Sequence, residues 1–549
     1  MKNLCKTVSF WLFWRDKMEQ YKYDTFLEYS QVFGSIKNEN DIISIIKQIH
    51  FDFACKVLST FGFYDKKYDR EIIKNFLISK CGNEEAFLES NSHVITRANV
   101  LMAWKYLLVY NDLCLKSLDQ EEIQIEKLLQ LLLMINEVIL KENVKEEQVN
   151  NFLSANAYFN YYDSTHQMAI RSYYMFIKNK RNSSNVNMSE WNGKFAVQHN
   201  GISIDKYIYL VYLMVTYIEK RDNHRKENNV LIMNDWYINP RTIPAVSSLT
   251  KKDLRLILNN LSFTIEEGKE WCEKHTHDLD CISLFINKPL LKVNSNCYIP
   301  LERKCFNELL FYSLFYKIKY SVHEDKKYFS DFGKIFEEYI DYICYKTCAI
   351  SQGFYEPIPE FKFSSNKLSP DYMILNRNTV DTVMVIESKS ARILYEVNDY
   401  FNLNINKFKK SQTKTYYKPL NQSMQAISSI VEEGKNEYIT KDKVYYFVSV
   451  TMSNLPFKLT GEYIPISNYS NLKIGGYISI NIEELELFFE VLVSPNANPF
   501  GWYIEKYRDY SSNSFKNFLM QFEKSENNFL TGLAYELKET ANAYFGTLK

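Results

Sequence analysis

The fold is decided by two neighbouring stretches, Ser369–Leu375 with the sequence SPDYMIL and Val383–Ile393 with the sequence VMVIESKSARI. Two apolar runs on either side of the turn-like residues 376–379, NRNT, predict a β-hairpin. An acid stands at the head of the first run, and an acid and a lysine stand at the tail of the second. Because an unpaired charge is costly to bury, these three charges need a joint explanation.

Antiparallel pairing about this turn predicts which of the charged side chains meet. It places Asp371 opposite Glu387, and the alternation of side chains along a strand puts Lys389 on the same face. The pairing also matches apolar residues, Met373 with Val385 and Leu375 with Val383. The opposite face is apolar too, which predicts central strands buried on both sides, with Tyr372, Ile374, Met384 and Ile386 on that face.

Two carboxylates that face each other disfavour each other's ionisation, and a divalent cation removes this repulsion. Mg²⁺ prefers hard oxygen ligands, typically one or two carboxylates together with waters and a substrate phosphate. A lysine two residues further on can position a water molecule or stabilise charge that develops on a phosphate. The charges therefore predict a centre that cleaves phosphodiester bonds.

This arrangement resembles the PD-(D/E)XK nuclease superfamily over roughly residues 325–455, about a quarter of the chain. Pro370 and Asp371 match the PD of its motif, and Glu387, Ser388 and Lys389 match its ExK. The resemblance implies a restriction-endonuclease-like fold with Mg²⁺ (or Mn²⁺) held by Asp371 and Glu387, and with Lys389 orienting the attacking water. The competing interpretation is an ordinary α/β sheet whose end carries a structural salt bridge.

The superfamily usually carries a further glutamate on a helix before the first core strand. The segment from Asp331 to about Cys348 has the apolar stripe of such a helix, and Glu337 and Glu338 lie at the two edges of that stripe. Gly333 lies one turn before Glu337 and would let that edge approach the sheet. Glu337 is therefore preferred as the third catalytic carboxylate and metal ligand.

Downstream of the motif, the resemblance implies a helix and a further core strand. Leu420–Glu432 has the pattern of an amphipathic helix, and Val444–Thr451 that of a core strand. Some branches of the superfamily carry a glutamine on that helix which assists the site. Gln422 and Gln425 are the candidates, and a plain surface role is the alternative for both.

A basic segment free of acidic residues precedes and enters this predicted helix. Five lysines and two tyrosines between residues 400 and 430 are candidates for binding a phosphate backbone: Lys407, Lys409, Lys410, Lys414, Tyr416, Tyr417 and Lys418. A solvated loop is the alternative interpretation of the same residues.

The sequence outside this motif predicts a chain with both helical and α/β regions. We expect a mostly helical region of sensing or partner-binding role over 1–260, a nuclease-like α/β domain with a central mixed sheet flanked by helices over 261–460, and an α/β extension over 461–549. The fold class is thus α+β with an α/β core. In detail, we expect a loop over Arg221–Asn229, a hairpin over Ser283–Pro300 and one helix from about Arg303 to Tyr320.

Composition bounds the function only loosely. The chain has 549 residues with 66 basic and 66 acidic side chains, so its net charge does not indicate a nucleic-acid binder. Ten scattered cysteines suggest a reduced, cytoplasmic protein, and the apolar run Val8–Trp14 is too short to span a bilayer. Four residues could instead bind zinc, although core cysteines and surface histidines are the simpler interpretation: Cys272, His275, His277 and Cys281.

Together these observations predict a metal-dependent nuclease that acts on DNA. A helical region beside a nuclease-like domain resembles prokaryotic restriction and anti-phage defence proteins, which is an analogy at the level of organisation. Its partners would be nucleic acid and, through the helical region, another protein or a second copy of the chain, but not a membrane. The alternatives are a non-catalytic nucleic-acid-binding or scaffold protein that keeps a nuclease fold, and a nuclease that cleaves RNA.

Overall fold

The structure is a computed structural model, and its description covers nineteen stretches of the chain. These are residues 25–64, 92–112, 121–139, 161, 163–181, 187–228, 230, 232–243, 251–276, 281–323, 325–364, 367–378, 381–390, 410, 413–434, 436–453, 466–509, 514–526 and 528–545.

The chain forms two compact units that interleave along the sequence. The first comprises residues 1–143, 213–245 and 250–308, and the second comprises 144–212, 246–249 and 309–549. This division by contacts differs from the ranges 1–260, 261–460 and 461–549 expected from the sequence, since residues 144–212 group with the C-terminal half. The roles assigned to those ranges stay predictions.

The α-helices are, in chain order, α1 Tyr29–Phe33, α2 Glu39–Ile46, α3 Phe51–Gly62, α4 Arg97–Tyr110, α5 Glu121–Ile139, α6 Thr165–Ser172, α7 Met188–Gln198, α8 Ile204–Glu227, α9 Lys251–Asn260, α10 Ile265–His275, α11 Ser283–Asn287, α12 Arg303–Asn307, α13 Tyr312–Val322, α14 Asp325–Ile350, α15 Lys418–Glu433, α16 Ile482–Leu492, α17 Phe500–Asp509, α18 Phe515–Leu519 and α19 Phe529–Phe545. Tighter or wider helical turns cover Tyr173–Ile177, Lys178–Arg181, Glu308–Leu310, Thr413–Tyr417 and Ile466–Tyr469. In the part of the chain described, no helix is both long enough and apolar enough to cross a membrane.

The strands are β1 Thr25–Phe26, β2 Ser92–His93, β3 Ser262–Thr264, β4 Leu290–Asn294, β5 Cys297–Pro300, β6 Tyr355–Pro359, β7 Lys362–Ser364, β8 Lys367–Leu368, β9 Tyr372–Asn376, β10 Thr382–Lys389, β11 Val444–Thr451 and β12 Lys473–Asn481. The first unit contains a three-stranded sheet of order β3-β4-β5, and the second a five-stranded sheet of order β12-β11-β10-β9-β6. The expected mixture of helices and sheet is therefore present.

The polar segment Arg221–Asn229 is not a loop as expected, because α8 continues through it to Glu227. The cause is a buried ion pair. Arg225 is fully buried, donates from Nη2 to Asp222 Oδ1 at 2.6 Å, and lies over the ring of Tyr64. The polar character of the segment favoured a loop and did not indicate that Asp222 would neutralise Arg225, three residues later on the same helix.

Two further expectations for residues 283–322 are corrected by the structure. The hairpin begins only at Leu290, because Ser283–Asn287 is the short helix α11, from which Phe285 packs against Phe263 and Trp271 with ring centroids 6.0 and 5.6 Å away. The single helix expected after residue 303 is broken at Phe311, where the backbone leaves the helical region and α13 begins.

The large sheet of the second unit confirms the predicted hairpin register. β9 and β10 are antiparallel, with Val385 opposite Met373 and Val383 opposite Leu375. β11 and β12 then add in parallel to β10, and β6 adds antiparallel to β9. The residues on both faces of the hairpin are nearly inaccessible to solvent, as expected for central strands.

Helices cover both faces of this sheet. α15 packs Leu420, Met424 and Ile427 into a cluster with the Val385 face of the hairpin. On the other face, Tyr372 lies near Cys344 and Cys348 of α14, the helix expected to carry the third carboxylate. The sheet therefore lies between α14 on one face and α15 on the other.

A segment from far upstream completes the second unit. α6 packs against α19, and its Arg171 makes two hydrogen bonds of 3.0 Å to the carboxylate of Glu486 on α16. Tyr339 of α14 donates a third, at 2.7 Å, to Glu486. All three side chains are buried, so residues 163–181 are an integral layer of this unit.

Candidate active site

The charged residues of the predicted motif lie together at one end of the central hairpin. The register pairs Ile386 with Tyr372, so that Glu387 and Asp371 are the next opposed residues beyond the last paired position. Glu387 is 8% exposed, whereas Asp371 is only partly buried. Two carboxylates thus stand side by side where the strands end, as the sequence predicted.

Asp371 is held in place by the residue after Glu387. The backbone N–H of Ser388 donates to Asp371 Oδ2 at 2.7 Å, and the Ser388 hydroxyl donates to the same oxygen at 2.9 Å. Both of these bonds end on one oxygen of the carboxylate. The motif pattern gives the middle residue of ExK no role, so sequence reasoning missed this contribution of Ser388.

Lys389 pairs with the second carboxylate of the hairpin. Its Nζ donates to Glu387 Oε1 at 2.6 Å, and 35% of the lysine side chain is exposed. Burial alone would lower the pKa of Lys389, but the charges of Glu387 and Asp371 outweigh this effect and raise it. Lys389 is therefore a firmly charged ammonium that lies between the acidic cluster and solvent.

Glu337 approaches the same strand end from α14. Its side chain reaches solvent but is partly covered by neighbouring protein, and this partial burial first and the charge of Asp371 second raise its pKa to about 7. Gly333, one turn earlier, faces the residue after the motif: a Cβ there would lie 3.6 Å from Ser390 Oγ. That is an ordinary contact, so the helix edge is close to the strand end without strictly requiring glycine.

Glu338, the alternative to Glu337, has a different partner. Its Oε2 accepts a short hydrogen bond from Asn179 Nδ2, in the upstream segment that packs on α14. Within the described residues, no hydrogen bond or ion pair joins Glu338 to Asp371, Glu387 or Lys389. The charges of Asp371 and Lys389, in contrast, both shift the pKa of Glu337. Of the two glutamates, Glu337 is therefore the one whose charge interacts with Asp371 and Lys389, and its catalytic role stays a prediction.

A fourth carboxylate, Glu360, was not foreseen. It directly follows β6, whose last pairing sets Pro359 opposite Tyr372, so Glu360 lies beside Asp371 in the next position of the register. Burial and then the charge of Asp371 raise its pKa. The proline-rich sequence of β6 hid a strand paired with β9, so no sequence signal connected Glu360 to the motif.

The electrostatic state of the site follows from this crowding. Burial first, and Asp371 second, raise the pKa of Glu387 to about 7, while Lys389 acts in the opposite direction. Four carboxyl groups share the neighbourhood of one ammonium. Such an excess of negative charge is the chemical environment that a divalent cation stabilises.

The donor set fits a cation that keeps much of its own hydration. Among the described residues, no three His, Cys, Asp or Glu side chains are close enough together to hold a metal ion by themselves. Asp371 and Glu387 could supply two hard oxygen ligands, which is the usual protein contribution to a Mg²⁺ site completed by waters and substrate phosphate. The residues present therefore suit Mg²⁺ or Mn²⁺ and not a fully protein-enclosed ion.

The two glutamines expected to assist the site are exposed residues of α15. Gln422 and Gln425 are both exposed on α15, on the side away from the apolar cluster of Leu420 and Met424. Their assistance to the site stays a prediction.

The basic candidates divide into three groups. Lys407 and Lys409 lie outside the described residues, whereas Lys410, Lys414 and Lys418 are exposed. Tyr416 does not present its ring to solvent as expected: it is 9% exposed and belongs to the apolar cluster under α15. Tyr417 packs partly buried against Tyr416, with ring centroids 4.9 Å apart. Tyr416 is thus an anchor of this segment.

The candidate zinc site of the first unit comprises Cys272, His275, His277 and Cys281. Cys272 is buried, and burial raises the pKa of its thiol to about 12. The ring of His275 packs on Trp271 at 4.7 Å, and Cys281 Sγ lies 3.8 Å from Ser283 Oγ. His277 lies outside the described residues. These contacts are those of packed side chains.

Comparison with known proteins gives no relative: no family model, no curated protein and no solved structure matches this chain at a significant level. The likeness to PD-(D/E)XK nucleases therefore depends on the motif residues and their geometry alone.

Proposed function

We propose that this chain is a metal-dependent nuclease that hydrolyses phosphodiester bonds in DNA. The observation that carries the proposal is the gathering of Asp371, Glu387 and Lys389 at the end of one antiparallel strand pair, with Glu337 approaching from α14. A structural salt bridge would need one carboxylate for one lysine, whereas here several carboxylates crowd around Lys389.

Each residue has a distinct part in the proposed reaction. Asp371, fixed by Ser388, and Glu387 would hold a divalent cation, which when bound acts as a Lewis acid on the phosphate and lowers the pKa of water. Lys389 would orient the attacking water and stabilise negative charge on the phosphate. Glu337 would align that water, because its raised pKa suits proton exchange near neutral pH. It is not close enough to Asp371 and Glu387 to form a three-carboxylate metal group, which speaks against the metal-ligand role expected for it from the sequence.

The deciding experiment is a cleavage assay on plasmid, linear and single-stranded DNA and on RNA, with Mg²⁺, Mn²⁺ or EDTA. Wild type would be compared with Asp371→Asn, Lys389→Ala and the matched control Lys441→Ala, an exposed lysine just before β11. We expect metal-dependent cutting of DNA that both site variants lose and the control keeps. Thermal unfolding of each variant would show that a loss of cutting is not a loss of folding.

Other results would favour the alternatives. Cutting of RNA alone would change the substrate class while keeping the chemistry. No cutting under any condition, with equal DNA binding by wild type and both site variants, would instead support a non-catalytic scaffold. The place of this protein in anti-phage defence, suggested by its organisation, stays a prediction beyond this assay.

A further inference from the structure

The segment that leads into α15 carries positive charge beside the acidic site. Residues 400–431 contain five lysines and no acidic residue. Within the described part of this segment, Lys410, Lys414 and Lys418 are exposed, and Lys414 and Lys418 form no ion pair there. Since neither ammonium has a carboxylate partner among the described residues, both are candidates for contact with an external anion.

The segment is fixed to the sheet by a hydroxyl clamp, formed by Ser449 of β11 and Ser479 of β12. The Ser479 hydroxyl donates to the carbonyl oxygen of Thr415 at 3.0 Å, and the Ser449 hydroxyl, 3.3 Å from that oxygen, shares its one proton between it and Ser479 Oγ. The two hydroxyls lie 2.8 Å apart, and Thr415 is fully buried. Two strands thus hold one carbonyl of the segment, which gives its backbone a defined position.

These hydrogen bonds place the segment next to β10, the strand that carries Glu387 and Lys389. In the parallel pairing of β10 with β11, Ser449 is the register partner of Glu387, and Thr451 is the partner of Lys389. Adjacent strands are about 4.8 Å apart. Ser449, which contacts the carbonyl oxygen of Thr415, is therefore on the strand next to Glu387 and at the same level along the sheet.

Neighbouring side chains determine which way the lysines face. Tyr416 inserts into the apolar cluster with Met373 and Val385, directly after the clamped Thr415. With Thr415 and Tyr416 turned inward, Lys414 and Lys418 remain exposed. They are four residues apart in a helical run, a spacing that places side chains on the same side.

Building on the proposed function, we propose that Lys414 and Lys418 form a phosphate track that holds the DNA backbone beside Asp371 and Glu387. An acidic site repels a polyanion, so binding requires positive charge at a fixed distance from it. The hydroxyl clamp supplies that fixed distance. The track contacts phosphates only and carries no sequence preference.

The test is DNA binding by the full chain in EDTA, where no cleavage occurs, measured with a fluorescent duplex at several salt concentrations. The track variant Lys414→Gln/Lys418→Gln is compared with Lys441→Gln/Lys473→Gln, which removes the same charge near the opposite end of the same sheet. For the track variant we expect a raised Kd and a slope of log K against log salt that is shallower by about 2. The control pair should leave both values at wild type.

Cleavage kinetics then separate this proposal from the nuclease itself. In the track variant, KM for DNA should rise while kcat at saturating DNA stays at the wild-type value, because neither lysine contacts the reacting atoms. Lysine-dependent binding without any cutting would support the track and contradict the nuclease. Metal-dependent cutting with unchanged Kd, salt slope and KM in the track variant would overturn the track and leave the nuclease standing.

Discussion

Asp371 and Ser388 are joined by two hydrogen bonds that end on a single oxygen, Asp371 Oδ2, one from the serine N–H and one from its hydroxyl. These bonds fix the rotation of the carboxylate and direct its other oxygen elsewhere. Ser388 lies between Glu387 and Lys389, so the residue that orients Asp371 is part of the same ExK stretch as the two proposed site residues.

Replacing Ser388 by alanine removes the hydroxyl bond and keeps the N–H bond. We expect the Mg²⁺ concentration needed for half-maximal cleavage to rise by roughly 10-fold, the range typical for groups that orient a metal ligand. The measurement is cleavage rate against Mg²⁺ concentration. Ser390→Ala serves as control, and an identical Mg²⁺ response in both variants would show that Asp371 needs no help from the serine hydroxyl.

Glu337 and Glu338 form a matched pair on α14 with opposite expectations. Glu337→Gln removes a carboxylate that interacts with Asp371 and Lys389, and should lower cleavage by roughly 10- to 100-fold. Glu338→Gln keeps a hydrogen-bond acceptor for Asn179 and should leave cleavage nearly unchanged. Single-turnover cleavage rates at saturating Mg²⁺ compare the two, and the reverse order would exchange their roles.

The crowded carboxyls predict an unusual dependence of stability on pH in the absence of cations. The pKa of Glu387 is near 7 in the folded protein and about 4.5 when the chain is unfolded, so between these values the folded state holds a proton that the unfolded state has released. The contribution of Glu387 to the free energy of unfolding should therefore fall as pH rises from about 4.5 to 7, by at most roughly 3 to 4 kcal/mol.

Urea denaturation in EDTA between pH 5 and 8 measures this fall, and Glu387→Gln should make it smaller; the remainder comes from other carboxyls with raised pKa values, among them Glu484 and Glu490. Because cations compete with protons for the same oxygens, added Mg²⁺ should stabilise the protein more at pH 8 than at pH 5. A stabilisation by Mg²⁺ that is equal at both pH values would place its binding site away from these carboxyls.

The ion pair of Arg171 with Glu486 offers a test of packing that is independent of catalysis. Arg171→Met would leave Glu486 as a buried charge with only the Tyr339 hydroxyl as a partner, and should cost about 3–5 kcal/mol of unfolding free energy. Arg171→Met/Glu486→Leu should recover most of that loss. Denaturant midpoints measure both, and a double variant no more stable than the single one would mean that packing matters more than charge.

The core of the site could be predicted from the sequence because local rules determine it. Strand alternation and a short turn are sufficient to bring Asp371 opposite Glu387, and the pairing of Val385 with Met373 confirms the register. The stripe of apolar residues on α14 likewise places Glu337 at an edge. In each case the relevant residues are close in sequence or obey a simple period.

What the sequence could not supply depends on contacts between distant segments. Glu360 joins the site only through the pairing of β6 with β9, across the small β7 and β8 hairpin. Tyr416 looked like a surface aromatic until the cluster under α15 showed it to be buried. Arg225 looked like a loop residue although its partner Asp222 is only three positions away, because the burial of this pair against Tyr64 depends on a distant segment.

The ion pair between α6 and α16 also bears on the order in which the second unit can assemble during synthesis. Arg171 and Glu486 are 315 residues apart, and chains grow at about 5–20 residues per second, so the arginine emerges from the ribosome tens of seconds before its partner. Until then, the helix that carries Glu337 lacks the carboxylate that Tyr339 and Arg171 share. A nascent chain could therefore complete this layer of the second unit only after residue 486 has been synthesised.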